Sequence, residues 1–240
     1  MCESCGCGDS HGGHEAARTI EVQRGVLSHN AEHAAETRAH LAELGVVALN
    51  VIGSPGAGKT SLLESVIVRL RGETKVLVVE GDLQTRRDAD RIARTGAAVH
   101  QINTGDGCHL DAHMVGHALA HLPLEPGALL VIENVGNLVC PAAFDLGESF
   151  RVVVLSTPEG DDKVEKYPIA FRSASALVIS KIDLLEHVDF SIARCREMAR
   201  ALHPSIEIFE VSARTGEGLD RFCGWVRSAL QGRVEPTALP

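Results

Sequence analysis

Residues 53–60 read Gly-Ser-Pro-Gly-Ala-Gly-Lys-Thr, and this stretch decides the fold of the chain. It matches in full the phosphate-binding pattern Gly-x-x-x-x-Gly-Lys-Ser/Thr. The apolar run Val46–Ile52 precedes it and a helical pattern follows it, which is the context that the pattern requires. We therefore predict a strand, a phosphate-binding loop and a helix N-terminus here, because backbone N–H groups at a helix N-terminus can close around phosphate oxygens.

Short apolar runs alternate with helical patterns along the rest of the chain, which indicates βαβ units and a mostly parallel sheet. The chain has 240 residues, of which 45% are hydrophobic and 23% charged, a balance typical of a globular domain. We predict the α/β fold of the P-loop NTPases, with three layers and helices on both sides of the sheet. The predicted strands are Val46–Ile52, Lys75–Glu80, Ala97–Ile102, Ala128–Ile132, Arg151–Leu155, Leu177–Ile179 and Ile206–Val211.

The chain divides into three parts on its composition. Residues 1–25 are rich in Cys, His and Gly and are predicted to form a flexible metal-binding arm. Residues 26–231 are predicted to form the P-loop domain, which opens with a helix from Val26 to Leu44. Residues 232–240 are predicted to be a flexible tail.

Charge and cysteine content limit the partners of the chain. The formal net charge of −9 argues against a nucleic-acid partner, because phosphate backbones demand a basic surface. No apolar run approaches the roughly 20 residues that span a bilayer, so we expect no membrane association and a cytoplasmic location. In that compartment the 7 cysteines are expected to be thiols, and their clustering favours metal binding.

Two side chains of the loop and two carboxylates predict a nucleotide site with magnesium. Lys59 can neutralise the β- and γ-phosphates, and the Thr60 hydroxyl can bind Mg²⁺. Asp82 and Glu133 follow buried strands, at the edge where doubly wound sheets bind ligands. Either carboxylate could instead be a helix cap or a solvated charge, but a Walker-B-type acid is required. We assign catalysis to Lys59, Asp82 and Glu133, and magnesium binding to Thr60, Asp82 and Glu133.

The base of the nucleotide is indicated by Ser180-Lys181-Ile182-Asp183, which resembles the guanine-reading motif of the G-protein superfamily. There the Asp carboxylate accepts hydrogen bonds that guanine donates and adenine lacks. Asp183 could alternatively cap a helix, and Ser180 replaces the usual Asn, which predicts weaker support for the loop. The predicted nucleotide-binding residues are Gly53, Ser54, Pro55, Gly56, Ala57, Gly58, Lys59, Thr60, Ser61, Lys181, Asp183, Ser212 and Ala213.

Clustered thiols near the N-terminus predict one metal site. Cys2, Cys5 and Cys7 lie close enough along the chain for their thiolates to wrap around one soft cation, and three cysteines at this spacing seldom serve packing. The alternative is a set of unstructured thiols prone to oxidation.

A second candidate metal site combines Cys108, His109 and Cys140, whose donors would leave a coordination position open if the fold brings them together. His109, His113, His117 and His121 recur at helical spacing, and we expect at most neighbouring pairs to share a metal. A solvated polar face is the better interpretation of His117 and His121. Cys195 and Cys223 fall inside amphipathic patterns and are expected to pack as small hydrophobic residues.

Taken together, these motifs resemble those of the HypB family. Members of this family are GTPases that help to insert nickel during maturation of nickel–iron hydrogenases. The resemblance spans nearly the whole chain. It implies GTP with Mg²⁺, slow hydrolysis, and a homodimer promoted by nucleotide or metal. It also implies a Ni²⁺ or Zn²⁺ site at Cys108, His109 and Cys140 near the subunit interface, and a Ni²⁺ site at Cys2, Cys5 and Cys7. The implied partners are a nickel-handling accessory protein and the hydrogenase large-subunit precursor.

The predicted mechanism is that GTP with Mg²⁺ orders Glu133–Asn137 and thereby moves Cys140 relative to Cys108 and His109, so that metal affinity depends on the nucleotide. Three alternatives remain at this point. One is a urease-maturation GTPase, whose family has Cys-Pro-His where this chain has Cys-Pro-Ala at 140–142. The others are a metal-buffering protein with weak nucleotide turnover and an ATP-dependent small-molecule kinase.

Overall fold

The computed structural model describes residues 12–105 and 107–235, of which 12–24 and 26 are described by their backbone alone. All seven predicted strands are confirmed, with ends that move by no more than about two residues, as is usual for element boundaries. They are β1 (Val47–Ile52), β2 (Val76–Asp82), β3 (Ala98–Asn103), β4 (Leu129–Glu133), β5 (Phe150–Ser156), β6 (Ala176–Ser180) and β7 (Glu207–Val211).

The strands form one sheet in the order β3-β2-β4-β1-β5-β6-β7, and every neighbouring pair is parallel. The chain leaves β1 towards one edge for β2 and β3 and later crosses to the other edge for β5 to β7. This reversal beside β1 is the topological switch point at which open α/β sheets bind ligands. The phosphate-binding loop follows β1 directly and therefore lies at this point.

Helices cover both faces of the sheet. They are α1 (Gly12–Glu43), α2 (Lys59–Leu70), α3 (Arg87–Arg94), α4 (Ala112–Leu119), α5 (Cys140–Ala143), α6 (Lys163–Lys166), α7 (Pro168–Arg172), α8 (Ile192–Leu202) and α9 (Leu219–Leu230). Helix α1 begins at Gly12, earlier than the predicted start at Val26, so that part of the predicted arm is helical. Residues 1–11 and 236–240, where the rest of the predicted arm and most of the predicted tail fall, lie outside the described residues.

Two hydrophobic layers hold the helices to the sheet. On one face, Leu62 of α2 and Phe222 of α9 pack against the strands. On the other face, Leu41 of α1 and Val115 of α4 form one cluster, and Phe171 of α7 belongs to a second. Each fully buried side chain of this size contributes about 1.5–3 kcal/mol. The three-layer α/β prediction is therefore confirmed.

The two cysteines that were expected to pack in the core do so. Cys195 and Cys223 are fully buried, and burial raises the pKa of the Cys195 thiol to about 12. Burial likewise raises the pKa of the Cys223 thiol. Both therefore remain protonated and behave as small hydrophobic side chains.

Over the part of the chain that is described, the helices are too short or too polar to cross a lipid bilayer.

Candidate nucleotide and metal site

The phosphate-binding loop turns into α2 at Gly58. This residue has a φ of +95°, in the left-handed region that favours glycine because it has no Cβ atom. The turn directs the first backbone N–H groups of α2 into the space beyond β1, where an anion is favoured by the helix dipole. The local sequence and the local conformation therefore agree at this position.

Lys59 is the first residue of α2, and its side chain lies beneath the phosphate-binding loop. Its side chain is buried, and its Nζ donates to the carbonyl oxygens of Gly53 at 3.2 Å and Ser54 at 3.4 Å. Burial lowers the pKa of Lys59, and the nearby charge of Glu133 partly opposes that shift. The ammonium group is thus held at the bottom of a cavity of about 440 Å³ that Thr60 also lines.

Two buried carboxylates face Lys59 and Thr60 from adjacent strands. Glu80 of β2 is paired in register with Glu133 of β4, and the Thr60 hydroxyl donates to Glu133 Oε1 at 2.7 Å. The Oε2 atoms of both carboxylates are buried without a hydrogen-bond partner. Burial raises the pKa of Glu80 to about 8 and that of Glu133 to about 7. Unbonded carboxylate oxygens beside a hydroxyl are the donor set that Mg²⁺ takes in nucleotide sites, so the residues present fit this ion.

Asp82, which was also predicted from the sequence to bind magnesium, lines the mouth of the cavity. Burial opposes its ionisation, but hydrogen bonds from the Thr85 side chain and from backbone N–H groups outweigh burial and lower the pKa of Asp82. Its Oδ1 accepts from the Leu83 N–H at 2.7 Å, and its Oδ2 accepts from the Thr85 N–H and hydroxyl. Both oxygens of Asp82 are therefore engaged by its own loop.

A second cavity, of about 560 Å³, adjoins the first and shares Gly58, Ser61 and Lys181 with it. Asp183 and Ala213 line this second cavity. The Ser212 hydroxyl donates to Asp183 Oδ1 at 2.6 Å and so orients the carboxylate. The predicted phosphate-binding and base-reading residues thus lie side by side along one continuous groove.

Ser180 supports this groove in place of the usual asparagine. Its hydroxyl donates to the carbonyl oxygen of Ala57 at 2.6 Å, and the Lys181 Nζ donates to that of Gly56 at 2.6 Å. Lys181 has a φ of +59°, a left-handed conformation that is strained for a non-glycine residue and is held by these contacts. The serine thus contacts the phosphate-binding loop directly, and the weaker support expected from Ser180 stays a prediction.

The predicted Cys108, His109 and Cys140 are brought together. One ligand atom from each lies within 4.8 Å of the other two, and the Cys108 and Cys140 Sγ atoms are 2.9 Å apart. Burial lowers the pKa of His109, so its imidazole is neutral and free to bind a metal at neutral pH. Two thiols and an imidazole form a donor set for a borderline or soft divalent cation such as Zn²⁺ or Ni²⁺.

The sequence pattern described as "CobW/HypB/UreG, nucleotide-binding domain" matches residues 47–210. Over 222 residues the chain is 52% identical to the hydrogenase maturation factor HypB of Rhizobium leguminosarum bv. viciae, an alignment that covers 90% of this chain and 74% of the relative. The chain belongs to the HypB family.

Solved HypB structures share the fold. HypB from Helicobacter pylori, solved in complex with nickel, superposes with a TM-score of 0.82 at 41% identity and covers 87% of this chain and 98% of that one. HypB from Archaeoglobus fulgidus gives a TM-score of 0.80 at 42% identity, covering 85% and 100% of the two chains. The matched residues 47–210 include the phosphate-binding loop, Asp183 and the Cys108 cluster, while Ser212 and Ala213 lie just beyond them.

In this HypB-family chain the cysteine-bearing segment is held by a buried arginine. Arg151 donates to the carbonyl oxygens of Ala142 at 2.8 Å and Phe144 at 2.9 Å, and it pairs with the buried Glu148. The Phe144 ring in turn packs on His109, with ring centroids 3.9 Å apart. Removing one partner of a buried ion pair is costly, so this anchor fixes the position of both metal-binding loops.

Two asparagines connect the nucleotide groove to the metal cluster. Asn134, directly after Glu133, accepts the Leu110 N–H at 3.1 Å. Asn137 is bridged to Gly53 of the phosphate-binding loop, and its Nδ2 donates to the Cys108 carbonyl oxygen at 3.5 Å. Gly136 lies between them, and a Cβ there would come within 3.0 Å of Pro55.

The predicted histidine series does not form one helix. Helix α4 spans Ala112–Leu119, with Asp111 as its N-cap, so His113 and His117 lie on it while His109 and His121 lie outside. The His121 ring instead stacks on His100, with ring centroids 4.7 Å apart. The helix is shorter than predicted because the Asp111 side chain caps it and a turn follows Leu119. The predicted cluster of Cys2, Cys5 and Cys7 lies outside the described residues.

Glu80 was missed by sequence reasoning. It ends an apolar run and was counted with the strand, and only its pairing opposite Glu133 places it in the groove. A carboxylate at the end of a buried strand was the available signal.

Replacing Glu80 with glutamine is expected to stabilise the nucleotide-free protein and weaken nucleotide binding that requires Mg²⁺. The variant removes a buried, unpartnered carboxylate, so the free energy of unfolding at pH 8 should rise by about 1–3 kcal/mol. The folded-state pKa lies above the ordinary value, so wild-type stability falls as pH rises from about 4.5 to 8, and the advantage of the variant grows over that window. Urea unfolding at pH 5 and pH 8 measures this.

The matched control is Glu125→Gln. The Glu125 carboxylate is exposed to solvent, so its removal relieves no burial of charge. The assignment would be contradicted if the stability advantage of the Glu80 variant over wild type were smaller at pH 8 than at pH 5. Unchanged Mg²⁺-dependent nucleotide affinity would contradict it as well.

Proposed function

We propose that this chain is a GTP-hydrolysing metallochaperone that delivers Ni²⁺ during maturation of nickel–iron hydrogenase, and that nucleotide state sets its metal affinity. The observation that carries the proposal is the position of Asn137, which contacts the phosphate-binding loop and the Cys108 loop. Membership of the HypB family supports the destination of the metal.

Guanine selectivity is assigned to Asp183. Its Oδ1 is oriented by Ser212, and Arg214 lies 3.5 Å from its Oδ2. A carboxylate held in this way accepts hydrogen bonds from the N1–H and the exocyclic amine of guanine. The aliphatic stem of Lys181 covers the base, and backbone groups at Ser212 and Ala213 complete the site.

Hydrolysis is assigned to the groove at the end of β1. Thr60 and Glu133, with Asp82 at the mouth, would hold Mg²⁺, and Glu80 adds a carboxylate to that set. When bound, Mg²⁺ would neutralise part of the negative charge of the phosphates. Lys59 binds the β- and γ-phosphates and stabilises the charge that develops as the terminal phosphoryl group leaves. We expect slow turnover, on the order of 10⁻⁴ s⁻¹, as in small GTPases without a supplied catalytic group.

Nickel is the cargo of the Cys108, His109 and Cys140 cluster. Three protein donors leave one position for water, a partner's ligand or a recipient protein, and such an open position is what transfer requires. Zn²⁺ fits the same donors. The N-terminal Cys2, Cys5 and Cys7 are proposed to form a further nickel site, which would load the chain before transfer.

Transfer needs a difference in metal affinity between nucleotide states, since a ligand can shift an equilibrium only by its differential binding. Glu133–Asn137 provides the connection. Glu133 is bonded to Thr60 of the groove, and Asn134 and Asn137 are bonded to the loop that carries Cys108. A movement of this segment therefore changes the separation of the metal donors.

The proposed partners follow from the same role. A homodimer promoted by nucleotide or metal would place further ligands near the open coordination position. A nickel-handling accessory protein and the hydrogenase large-subunit precursor would accept the metal.

The coupling is tested by titrating Ni²⁺ into the GDP-bound and the GTP-analogue-bound protein. We expect a difference in affinity of about 5- to 150-fold, the usual range of allosteric coupling. Asn137→Ala removes the side-chain bond to the Cys108 carbonyl oxygen and leaves the backbone bridge to Gly53, so the ratio of the two Ni²⁺ affinities should fall towards one while nucleotide affinity changes little. Isothermal titration calorimetry measures both affinities.

The control is Gln231→Ala, which removes an exposed amide at the end of α9 and should keep the wild-type difference. Equal Ni²⁺ affinities in the two nucleotide states of the wild-type protein would refute coupling. Coupling that survives Asn137→Ala would refute the route through this residue.

A further inference from the structure

Four histidines form a row across the groove between α1 and α4, away from the Cys108 cluster. His29 and His33 lie one turn apart on α1, and His113 and His117 lie one turn apart on α4. Their ring centroids are separated by 4.7 Å from His29 to His33, 5.2 Å from His33 to His113 and 5.6 Å from His113 to His117. The row is therefore continuous from one helix to the other.

The two histidines of α1 present ring nitrogens at metal-chelating distance. The Nε2 atoms of His29 and His33 are 3.3 Å apart. Two imidazole nitrogens bound to one tetrahedral ion at about 2.0–2.1 Å are separated by about 3.3 Å. The pair thus has the spacing of two ligands of one ion, and histidines at i and i+4 on a helix are an established chelating arrangement.

A carboxylate lies near the Nδ1 atom of each ring, and for His33 it is within hydrogen-bond distance. His33 Nδ1 lies 3.2 Å from Glu36 Oε2, and His29 Nδ1 lies 3.9 Å from Glu32 Oε2. A carboxylate that accepts from Nδ1–H leaves Nε2 as the unprotonated ligand atom and increases its basicity. Glu36 therefore orients the Nε2 atom of His33 towards His29.

The two helices are fixed relative to each other beside this row. Asn30 is buried, and its Oδ1 accepts the Ala112 N–H at the start of α4 at 2.8 Å. Gly116 faces Thr37, which lets the helix backbones approach closely. The space between them is a cavity of about 420 Å³ that His33, His113 and His117 line. The packing of the two helices thus fixes where the α1 pair lies relative to His113 and His117.

We propose that His29 and His33 bind one divalent transition metal of the Zn²⁺ or Ni²⁺ class, and that a rotation of the His113 side chain brings a third imidazole to the ion, with His117 next to it as a further donor. The ligands are imidazoles alone, so the site is distinct from the thiolate cluster at Cys108. It does not require nucleotide. The proposal therefore stands or falls separately from the proposed function.

The test uses the full chain with five cysteines replaced by alanine, so that the thiolate sites are removed; these are Cys2, Cys5, Cys7, Cys108 and Cys140. Zn²⁺ is titrated into this protein by calorimetry without nucleotide. We expect one bound equivalent. In the same background, His29→Gln with His33→Gln should lower the affinity more than about 100-fold, because two ligands are lost.

Control variants at a histidine and at a glutamate outside the proposed site test whether the loss of affinity is specific. His187→Gln, at an exposed histidine elsewhere, should leave affinity unchanged. Glu36→Gln should lower the affinity about 10- to 100-fold, as is typical when a carboxylate behind a ligating histidine is removed. Glu43→Gln, at an exposed glutamate of the same helix, should not.

His113→Gln on α4 gives a second test, so that the proposal does not depend on the fold of α1 in the double variant. Its affinity should fall at least about tenfold with Tm unchanged. No bound Zn²⁺ in the chain with these five cysteines replaced would overturn the proposal. Equal affinities in the histidine variants and in His187→Gln would overturn it as well.

Discussion

Lys59→Ala is expected to reduce the rate of GTP hydrolysis by about 100- to 1,000-fold or more, the usual loss when one stabilising group is removed from a transition state. The Lys59 ammonium is buried at the floor of the groove, within reach of the loop carbonyls and close to Glu133. The other cations that line the cavity, Arg91 and Lys181, are engaged by Glu64 and by the Gly56 carbonyl oxygen. Phosphate release under single-turnover conditions measures the effect, and GTP affinity measured in parallel separates binding from chemistry.

Two variants serve as controls for this prediction. Lys166→Ala removes an exposed cation on α6 and should leave hydrolysis unchanged. Cys108→Ala should retain much of the activity, since its thiol lies in the metal cluster. If Cys108→Ala abolished hydrolysis while Lys59→Ala spared it, the assignment of roles would be reversed.

Cys108→Ala combined with Cys140→Ala is expected to lower the affinity of the metal cluster for Ni²⁺ by more than about 100-fold, because even loss of a group behind a ligand costs about 10- to 100-fold. The two Sγ atoms and the His109 ring stand together, and the imidazole that remains is a single donor. The measurement uses a chain in which Cys2, Cys5 and Cys7 are alanine, so that the arm does not mask the loss. Thiolate-to-nickel absorption and calorimetry report it.

The buried cysteines provide a matched control. Cys195→Ala and Cys223→Ala each remove a thiol that packs in the core, so Ni²⁺ affinity and absorption should be unchanged. Retention of the thiolate absorption in the double variant of Cys108 and Cys140 would place the nickel thiolates elsewhere in the chain.

The sequence predicted the fold and much of the groove because the signals involved are local. A buried parallel strand needs a short apolar run, and a phosphate-binding loop needs glycines, a lysine and a hydroxyl at fixed spacing. Asp82 and Glu133 were placed correctly at the carboxyl ends of β2 and β4 for the same reason. Helix α1 was predicted too short because residues 12–25 lack apolar periodicity, and periodicity was the signal used.

What the tertiary structure decided depends on contacts between residues far apart in sequence. The register of β2 on β4 sets Glu80 beside Glu133, and no spacing along the chain encodes that pairing. The bond from Ser180 to Ala57 joins the base-reading segment to the phosphate-binding loop, and it depends on the distance between two loops. The row from His29 to His117 exists because α1 packs on α4.

By itself, the sequence determined that this chain has a phosphate-binding loop at Gly53–Thr60 in a parallel α/β sheet. Backbone stereochemistry and hydrophobic periodicity depend on residues that are close together in the sequence. The tertiary structure alone decided which donors meet. Cys108 lies in the loop after β3 and Cys140 begins α5, and only the order of the strands and the Asn137 contacts bring the nucleotide groove and the metal cluster to one edge of the sheet.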